Sequence, residues 1–299
     1  MLLATFNGRR WLPEQVESIL AQEGVRVRLV ALDDGSTDGT AEWLAERARE
    51  DDRITVLTDS QPSGSSVANF LRLIVRVQPH PDEYVAFADQ DDIWVQGKLA
   101  RHAGMLASGD LDGVSSCVTA FTSSGTTRLV RKDFPQRQFD YLLESPGPGS
   151  TFLITPRLAS LTAELVDEGG PARAVEFHDS LIYAIARGRG WKWHIDGAST
   201  VEYRQHDDNV MGSNTTWAAA LERLRLIRSH WLRNHAIALA RVALRVADEN
   251  SRPELQRMLD LFENPTLRNR LALARKAGSM RRRPRDQRII ALLITAGVW

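Results

Sequence analysis

The sequence predicts an α/β protein, a mostly parallel sheet flanked by helices and followed by a helical C-terminal extension. Three observations carry this. Short apolar runs alternate with amphipathic stretches through the first ninety or so residues. Two of those runs end in acidic clusters, at Asp33–Asp34 and Asp89–Asp92, and after about Asn214 the pattern becomes a helical stripe.

LLATF (2–6), VRLVAL (27–32), ITVLT (54–58) and YVAFA (84–88) are short runs of strand character. PEQVESILAQ (13–22), TAEWLAERARE (40–50) and VANFLRLIVRVQ (67–78) carry helical spacing between them. Such alternation implies a parallel sheet, whose ligands sit at the carboxyl ends of the strands. Further on, GVSSCVTAFT (113–122), STFLIT (150–155), WKWHI (191–195) and STVEYRQH (199–206) suit strands, and FHDSLIYAIARG (177–188) a helix ended by Gly188. Trp217, Leu221, Leu224, Ile227 and Trp231 form one apolar stripe, and Pro253 and Pro265 start shorter helices. Both tryptophans are expected in the core.

The 299 residues are 43% hydrophobic and 25% charged with a formal net charge of zero. That composition excludes a disordered chain and gives no reason to expect nucleic acid as a partner. A single cysteine, Cys117, excludes an internal disulfide and a cysteine-rich zinc site, and it fits a reducing, cytoplasmic location. Met1 is followed directly by LLATFNG without the basic and long apolar regions of a signal peptide, and fraying of this short first strand is expected. The apolar end, IIALLITAGVW (289–299), is too short to cross a bilayer.

ALDDGSTDGT (31–40) ends a strand with Asp33 and Asp34 and turns through Gly35, Ser36 and Thr37, with Asp38 expected as a helix N-cap. A strand end leading into a helix N-terminus suits a nucleotide, and the same residues equally suit a plain capped turn. FADQDDIW (87–94) crowds Asp89, Asp91 and Asp92, which costs stability unless a cation or hydrogen-bond donors offset the repulsion. DDGST does not supply the D-x-D-x-T of one phosphatase class, and no phosphate-binding P-loop is present.

Taken in order, LLATFNG, DDGSTDGT and ADQDDIW resemble the family 2 glycosyltransferases, enzymes of the Rossmann-like GT-A fold that move a sugar from a nucleotide diphosphate. The resemblance implies that Thr5 and Asn7 at the first strand's end and Asp33 and Asp34 in the turn hold the base and ribose. It implies further that Asp89-Gln90-Asp91 holds a divalent cation, Mg²⁺ or Mn²⁺, against the diphosphate, with Asp89 also on the donor side. EFHDSLIYAIARGRGWKWHIDGASTVEYRQHDDNVMG (176–212) extends the likeness to bacterial rhamnosyltransferase-like members, with an H-D pair opening a helix and then Y-R-Q-H-x-x-N-V-x-G. By that match Asp179 is the catalytic base, His206 reaches the metal or diphosphate, and Arg204 the phosphate. The residues alone leave Asp179 as a helix cap, His206 as a structural histidine, and Arg204 as a partner of Glu202 or Asp207.

QPSGSSVANF keeps Gly64, Asn69 and Phe70 of the family pattern but not its leading pair, which implies a donor-side loop of different shape. Ser180 and Leu181 stand where many relatives have two tryptophans, and GPGST (147–151) stands at the place of the acceptor pocket. The resemblance implies a catalytic domain over residues 1–215 and an extension over 216–299. It implies an inverting transfer from a dTDP- or UDP-linked sugar, with dTDP-rhamnose as the donor, to a glycan or lipid-linked glycan in cell-surface polysaccharide synthesis. RRRPRDQR (281–288) before the apolar end suits either contact with the inner membrane face or a solvated basic run beside a packed terminus. A non-catalytic glycan- or nucleotide-binding relative is the alternative function. A sugar nucleotidyltransferase should carry a G-x-G-x-R that FNGRRWLP lacks.

Overall fold

The computed structural model describes residues 1–59, 61–77, 79–206 and 230–299. Two compact units are interleaved along the chain. The first comprises Met1–Asp133, Gly147–Glu168 and Lys192–His206; the second comprises Phe134–Pro146, Gly169–Trp191 and the described part of Asp207–Trp299. The expected boundary at 215/216 falls outside the described residues, as do Trp217, Leu221, Leu224 and Ile227.

All the described strands belong to the first unit. In chain order they are β1 (Leu2–Thr5), β2 (Leu29–Asp33), β3 (Ile54–Leu57), β4 (Val85–Ala88), β5 (Ile93–Trp94), β6 (Gly113–Thr122), β7 (Thr127–Val130), β8 (Leu153–Ile154) and β9 (Trp193–Gln205). The sheet order is β3-β2-β1-β4-β8-β6-β9-β5, with β7 paired to β6. β1 pairs in parallel with both β2 and β4, and Leu2 to Thr5 are all buried, so this strand is central and the expected fraying is absent. Beyond β4 the sheet is mixed: β8 runs antiparallel to β4 and β6, and β9 runs parallel to β6. The two strands expected at 191–195 and 199–206 are one, because a register shift beside Ser116 and Cys117 takes up Gly197 and Ala198 without ending the pairing.

Helices α1 (Leu12–Leu20), α2 (Thr40–Glu50), α3 (Ser66–Arg76), α4 (Lys98–Ala107) and α5 (Pro156–Asp167) cover this sheet. Pro13 opens α1 with its fixed φ, and Ser65 caps α3 by accepting a hydrogen bond from the Ala68 N–H. Leu3, Leu12, Val16, Ile19, Leu29, Ala31, Ala86, Trp94 and Val114 form the core that holds the strand ends in place.

The second unit is helical among its described residues: α6 (His178–Gly188), α7 (Trp231–Val246), α8 (Arg252–Glu263), α9 (Leu267–Arg275), α10 (Ala277–Met280) and α11 (Pro284–Ala296). Tyr183 is fully buried and its hydroxyl donates to Asp140, which also pairs with Arg187 at 3.1 Å. Trp231 is only half buried, and its indole N–H donates to Glu176 Oε2 at 2.6 Å, so it is not the core residue its spacing predicts. No described helix is long and apolar enough to cross a membrane.

Candidate active site

The loops after β1 and β2 are knitted into one frame. Asp33 accepts four hydrogen bonds: from Thr5 Oγ1 at 2.9 Å, Ser36 Oγ at 2.6 Å, Ser36 N at 2.8 Å and Gly35 N at 3.2 Å. Asn7 accepts from Thr37 N at 2.8 Å and donates its own N–H to Ser36 Oγ at 2.7 Å, with Asn7 at a positive φ of 50°. Asp34 is buried and accepts from the backbone N–H groups of Ser63 and Gly64. The structure therefore brings Thr5, Asn7, Asp33 and Asp34 together, mostly bonded to one another and to the backbone. Such bonding fixes the shape of the loop rather than leaving four loose polar groups.

Asp38 is not the cap of α2. Gly39 holds that position with φ 88°, and Asp38 lies one residue earlier, accepting from Thr40 Oγ1 at 2.6 Å and from Arg9 N at 2.9 Å. A left-handed residue is needed there, which glycine supplies without steric cost.

Gln90, the middle residue of the acidic loop, closes the frame from the β4 side. Its side chain accepts from Phe6 N at 2.8 Å and donates to Phe6 O at 2.9 Å, in the manner of one strand rung. Gly8 passes so close to Gln90 that a Cβ there would overlap the amide. Phe6 itself is 55% exposed, an aromatic ring held by its backbone at the sheet's carboxyl end.

The three carboxylates of DQDD fare differently from one another. Asp92 turns inward and accepts from Arg204 N at 3.3 Å. Burial, then repulsion from Asp89 and Asp91, pushes its carboxyl well above the usual range. Nearby Lys98 is also buried, donates to Ser150 O and lies 3.0 Å from the Trp94 ring centroid. Burial holds its ammonium well below the usual value, against the attraction of Asp92 and Asp89. Asp91 is partly buried, with Oδ2 2.7 Å from His206 Nε2. His206 stacks on Trp11 at 5.5 Å between ring centroids and 14° between planes.

Arg204 lies 4.5 Å above the Trp11 ring, donates to Asp91 O at 2.9 Å and pairs with Glu14. Glu14 is an acidic partner of Arg204 that the sequence spacing does not predict; Asp207 falls outside the described residues. Asp91, Arg204 and His206 are brought together; Asp89 follows β4 and its backbone carbonyl accepts from Gln15 Nε2 at 2.6 Å.

The donor set fits a divalent cation. A carboxylate oxygen and an imidazole nitrogen at hydrogen-bond distance are both metal donors once the ring is neutral, and Asp89 stands two residues from Asp91. Among the described residues, however, no three carboxylate, imidazole or thiolate groups converge in a ligating arrangement.

Asp179 belongs to the second unit, in the first turn of α6, where its Oδ1 accepts from Ser180 N at 2.6 Å. It does not occupy the N-cap, which is Phe177, so the simple capping reading fails. Beside it, Phe177, Trp231 and His235 form an aromatic group, with Trp231 and His235 stacked at 5.1 Å. Burial lowers the His178 pKa to about 4, with Asp179 opposing.

No local signal in the sequence singles out Trp11, Glu14 or Lys98, and Gln90 stands in it only as the middle of the D-x-D segment. Gln90 carried the one available signal, as the residue between two acids at a strand end; the others act through partners far away in the chain.

The model of Glycosyl transferase family 2 matches residues 2–170. The dTDP-rhamnosyl transferase RfbG of Shigella flexneri is 32% identical over 303 residues, spanning 99% of this chain and 100% of that protein. Among solved structures, S. aureus TarS 1-349 in complex with UDP superposes with a TM-score of 0.58 at 13% identity, over 99% of this chain and 86% of that one. The mannosyltransferase PcManGT from Pyrobaculum calidifontis, in complex with GDP-Man and Mn²⁺, gives 0.51 at 17% identity, over 99% and 73%. At such identities the two structures share the fold.

Proposed function

The chain belongs to glycosyl transferase family 2, a family of glycosyltransferases with the GT-A fold, and from that premise we propose that it transfers rhamnose from dTDP-rhamnose to a glycan or lipid-linked glycan in cell-surface polysaccharide synthesis. The full-length likeness to a dTDP-rhamnosyl transferase supports the donor. The observation that carries the mechanism is the partly buried Asp91–His206 pair beside the frame that orders Phe6 and Asn7.

In this reading Phe6 and Asn7 receive the base and ribose, on a loop whose shape Thr5, Asp33 and Asp34 maintain. Asp89, Asp91 and His206 would hold Mn²⁺ or Mg²⁺, the imidazole favouring Mn²⁺. A cation held there would supply charge neutralisation for the departing diphosphate. Arg204, held over Trp11, lies beside Asp91 where a phosphate would approach. Asp179 takes the proton of the acceptor hydroxyl as the new bond forms opposite the leaving group, which inverts the anomeric centre. The hydrogen bond from Ser180 N fixes its orientation. An enzyme with a lipid-linked acceptor works as a peripheral protein at the inner face of the membrane.

The test is turnover of dTDP-rhamnose and UDP-linked sugars with Mn²⁺, with the product's anomeric configuration read by NMR. Transfer from the dTDP sugar with inversion, falling about 10²- to 10⁴-fold in Asp179→Asn, is expected. Retention of configuration, or full activity in that variant, overturns the mechanism; transfer from another nucleotide sugar alone overturns the donor.

A further inference from the structure

The C-terminal arginine run is not the free basic patch its sequence implies. Arg282 is buried and donates to Glu144 and to Ser145 O; Arg281 donates to Leu143 O; and the Arg283 guanidinium lies 4.3 Å from the Phe134 ring centroid. Arg281 and Arg282 are thus engaged within the second unit, and the exposed Arg283 lies against Phe134. The tail's surface chemistry lies instead on α9 and α11.

Those two helices pack as an antiparallel pair. Arg270, in the middle of α9, lies against Gly297 just past α11, and Gln287 near the start of α11 lies 3.8 Å from the position of a Gly278 Cβ. Ile290 and Ile294 bury one face of α11. Its outer face carries Arg285, Arg288, Ile289 and Leu292, which follow the i, i+3, i+4, i+7 spacing. On α9 the exposed stripe is Leu267, Leu271 and Arg275, with Arg268 beside it.

Of the eight exposed large apolar residues among those described, five lie here: Leu267 (60%), Leu271 (38%), Ile289 (45%), Leu292 (71%) and Val298 (43%). The antiparallel arrangement gathers Leu267, Leu292 and Val298 toward one end of the pair, with Leu271 at the middle of α9. Arg275, Arg285 and Arg288 lie toward the other. From residue 267 to the end of the chain the only acid is Asp286, and with Arg281, Arg282 and Arg283 engaged and Lys276 paired with Glu254, the exposed Arg268, Arg275, Arg285 and Arg288 supply the surface charge. An apolar patch bordered by cations and nearly without anions matches the layered chemistry of an anionic bilayer surface, acyl chains beneath phosphate headgroups.

We propose that the α9–α11 pair docks the protein on anionic membrane, with Leu267, Leu271, Ile289 and Leu292 entering the headgroup boundary and Arg268, Arg275, Arg285 and Arg288 contacting lipid phosphates. No described helix is long enough to span, so the pair lies in the interface plane. The proposal rests on the functional reading only for the location of a lipid-linked acceptor, and its test uses neither donor nor acceptor.

The experiment is flotation of the full chain with vesicles of phosphatidylethanolamine plus phosphatidylglycerol, and with vesicles of phosphatidylcholine alone. The wild type floats with the anionic vesicles, less so at high salt, and not with phosphatidylcholine. Leu267→Glu combined with Leu292→Glu abolishes flotation without changing thermal unfolding, since both side chains are exposed. Arg285→Gln with Arg288→Gln weakens it about tenfold or more. A wild type that stays in the soluble fraction, or a Leu→Glu pair that floats like the wild type, overturns the proposal. So does a wild-type dimer that becomes monomeric in the Leu→Glu variant with no vesicle binding by either, which assigns the face to a second copy.

Discussion

The loops after β2 and β4 stand on either side of β1, and each ends a buried strand in crowded aspartates. In the β2 loop the protein supplies the donors: Asp33 accepts four hydrogen bonds and Asp34 two backbone N–H groups. In the β4 loop fewer donors meet the carboxylates of Asp91 and Asp92 among the described residues. Asp92 is buried with one recorded backbone donor and its carboxyl pushed toward the protonated form, while Asp91 meets His206. The same residue type at similar places in the sheet is therefore architecture in one loop and, in the proposed function, a ligand set in the other. Acid clusters are separated by the donors around them, not by their spacing.

Substitutions that act oppositely in the two loops test this contrast. The largest expected effect is from Asp91→Asn, which removes metal-dependent diphosphate binding and lowers transfer about 10²-fold or more, with unfolding in urea nearly unchanged. Asp34→Asn turns an amide N–H toward a backbone donor, so it costs about 1–3 kcal/mol in urea unfolding and leaves the metal response intact.

Asp92→Asn goes the other way and stabilises the metal-free protein by about 1 kcal/mol at neutral pH, because an amide carries no buried charge. A carboxyl whose folded pKa lies above its unfolded value binds more protons when folded. The wild type therefore loses stability as pH rises from the ordinary carboxylate range through that raised value, and the variant lacks this slope. The smallest effect is from Ser36→Ala, which removes the hydroxyl bridging Asn7 and Asp33 and costs about 0.5–1.5 kcal/mol. A loss of stability in Asp92→Asn as large as that in Asp34→Asn would erase the distinction.

The sequence made the four parallel strands and their acidic ends legible, because alternating apolar runs and terminal aspartates are local signals. It could not show which acids would be satisfied: the donors to Asp34 come from Ser63 and Gly64, and those around Asp92 from the distant Ser150 and Arg204. β5 is two residues long and owes its existence to pairing with β9, so no periodicity marks it. Trp11 and Glu14 read as the entry to a helix, and their roles appear only where β9 ends beside them with Arg204 and His206. The arginine run misled in the other direction, since composition does not reveal that Arg281 and Arg282 are engaged inside the fold while Arg283 lies against Phe134.

The central claim is most directly tested by calorimetric titration of dTDP and UDP, each with and without Mn²⁺, into the wild type, Asp91→Asn and Asp34→Asn. The account predicts Mn²⁺-dependent binding of a diphosphate to the wild type, kept in Asp34→Asn and lost in Asp91→Asn. Equal binding with and without Mn²⁺, unchanged in Asp91→Asn, would contradict it.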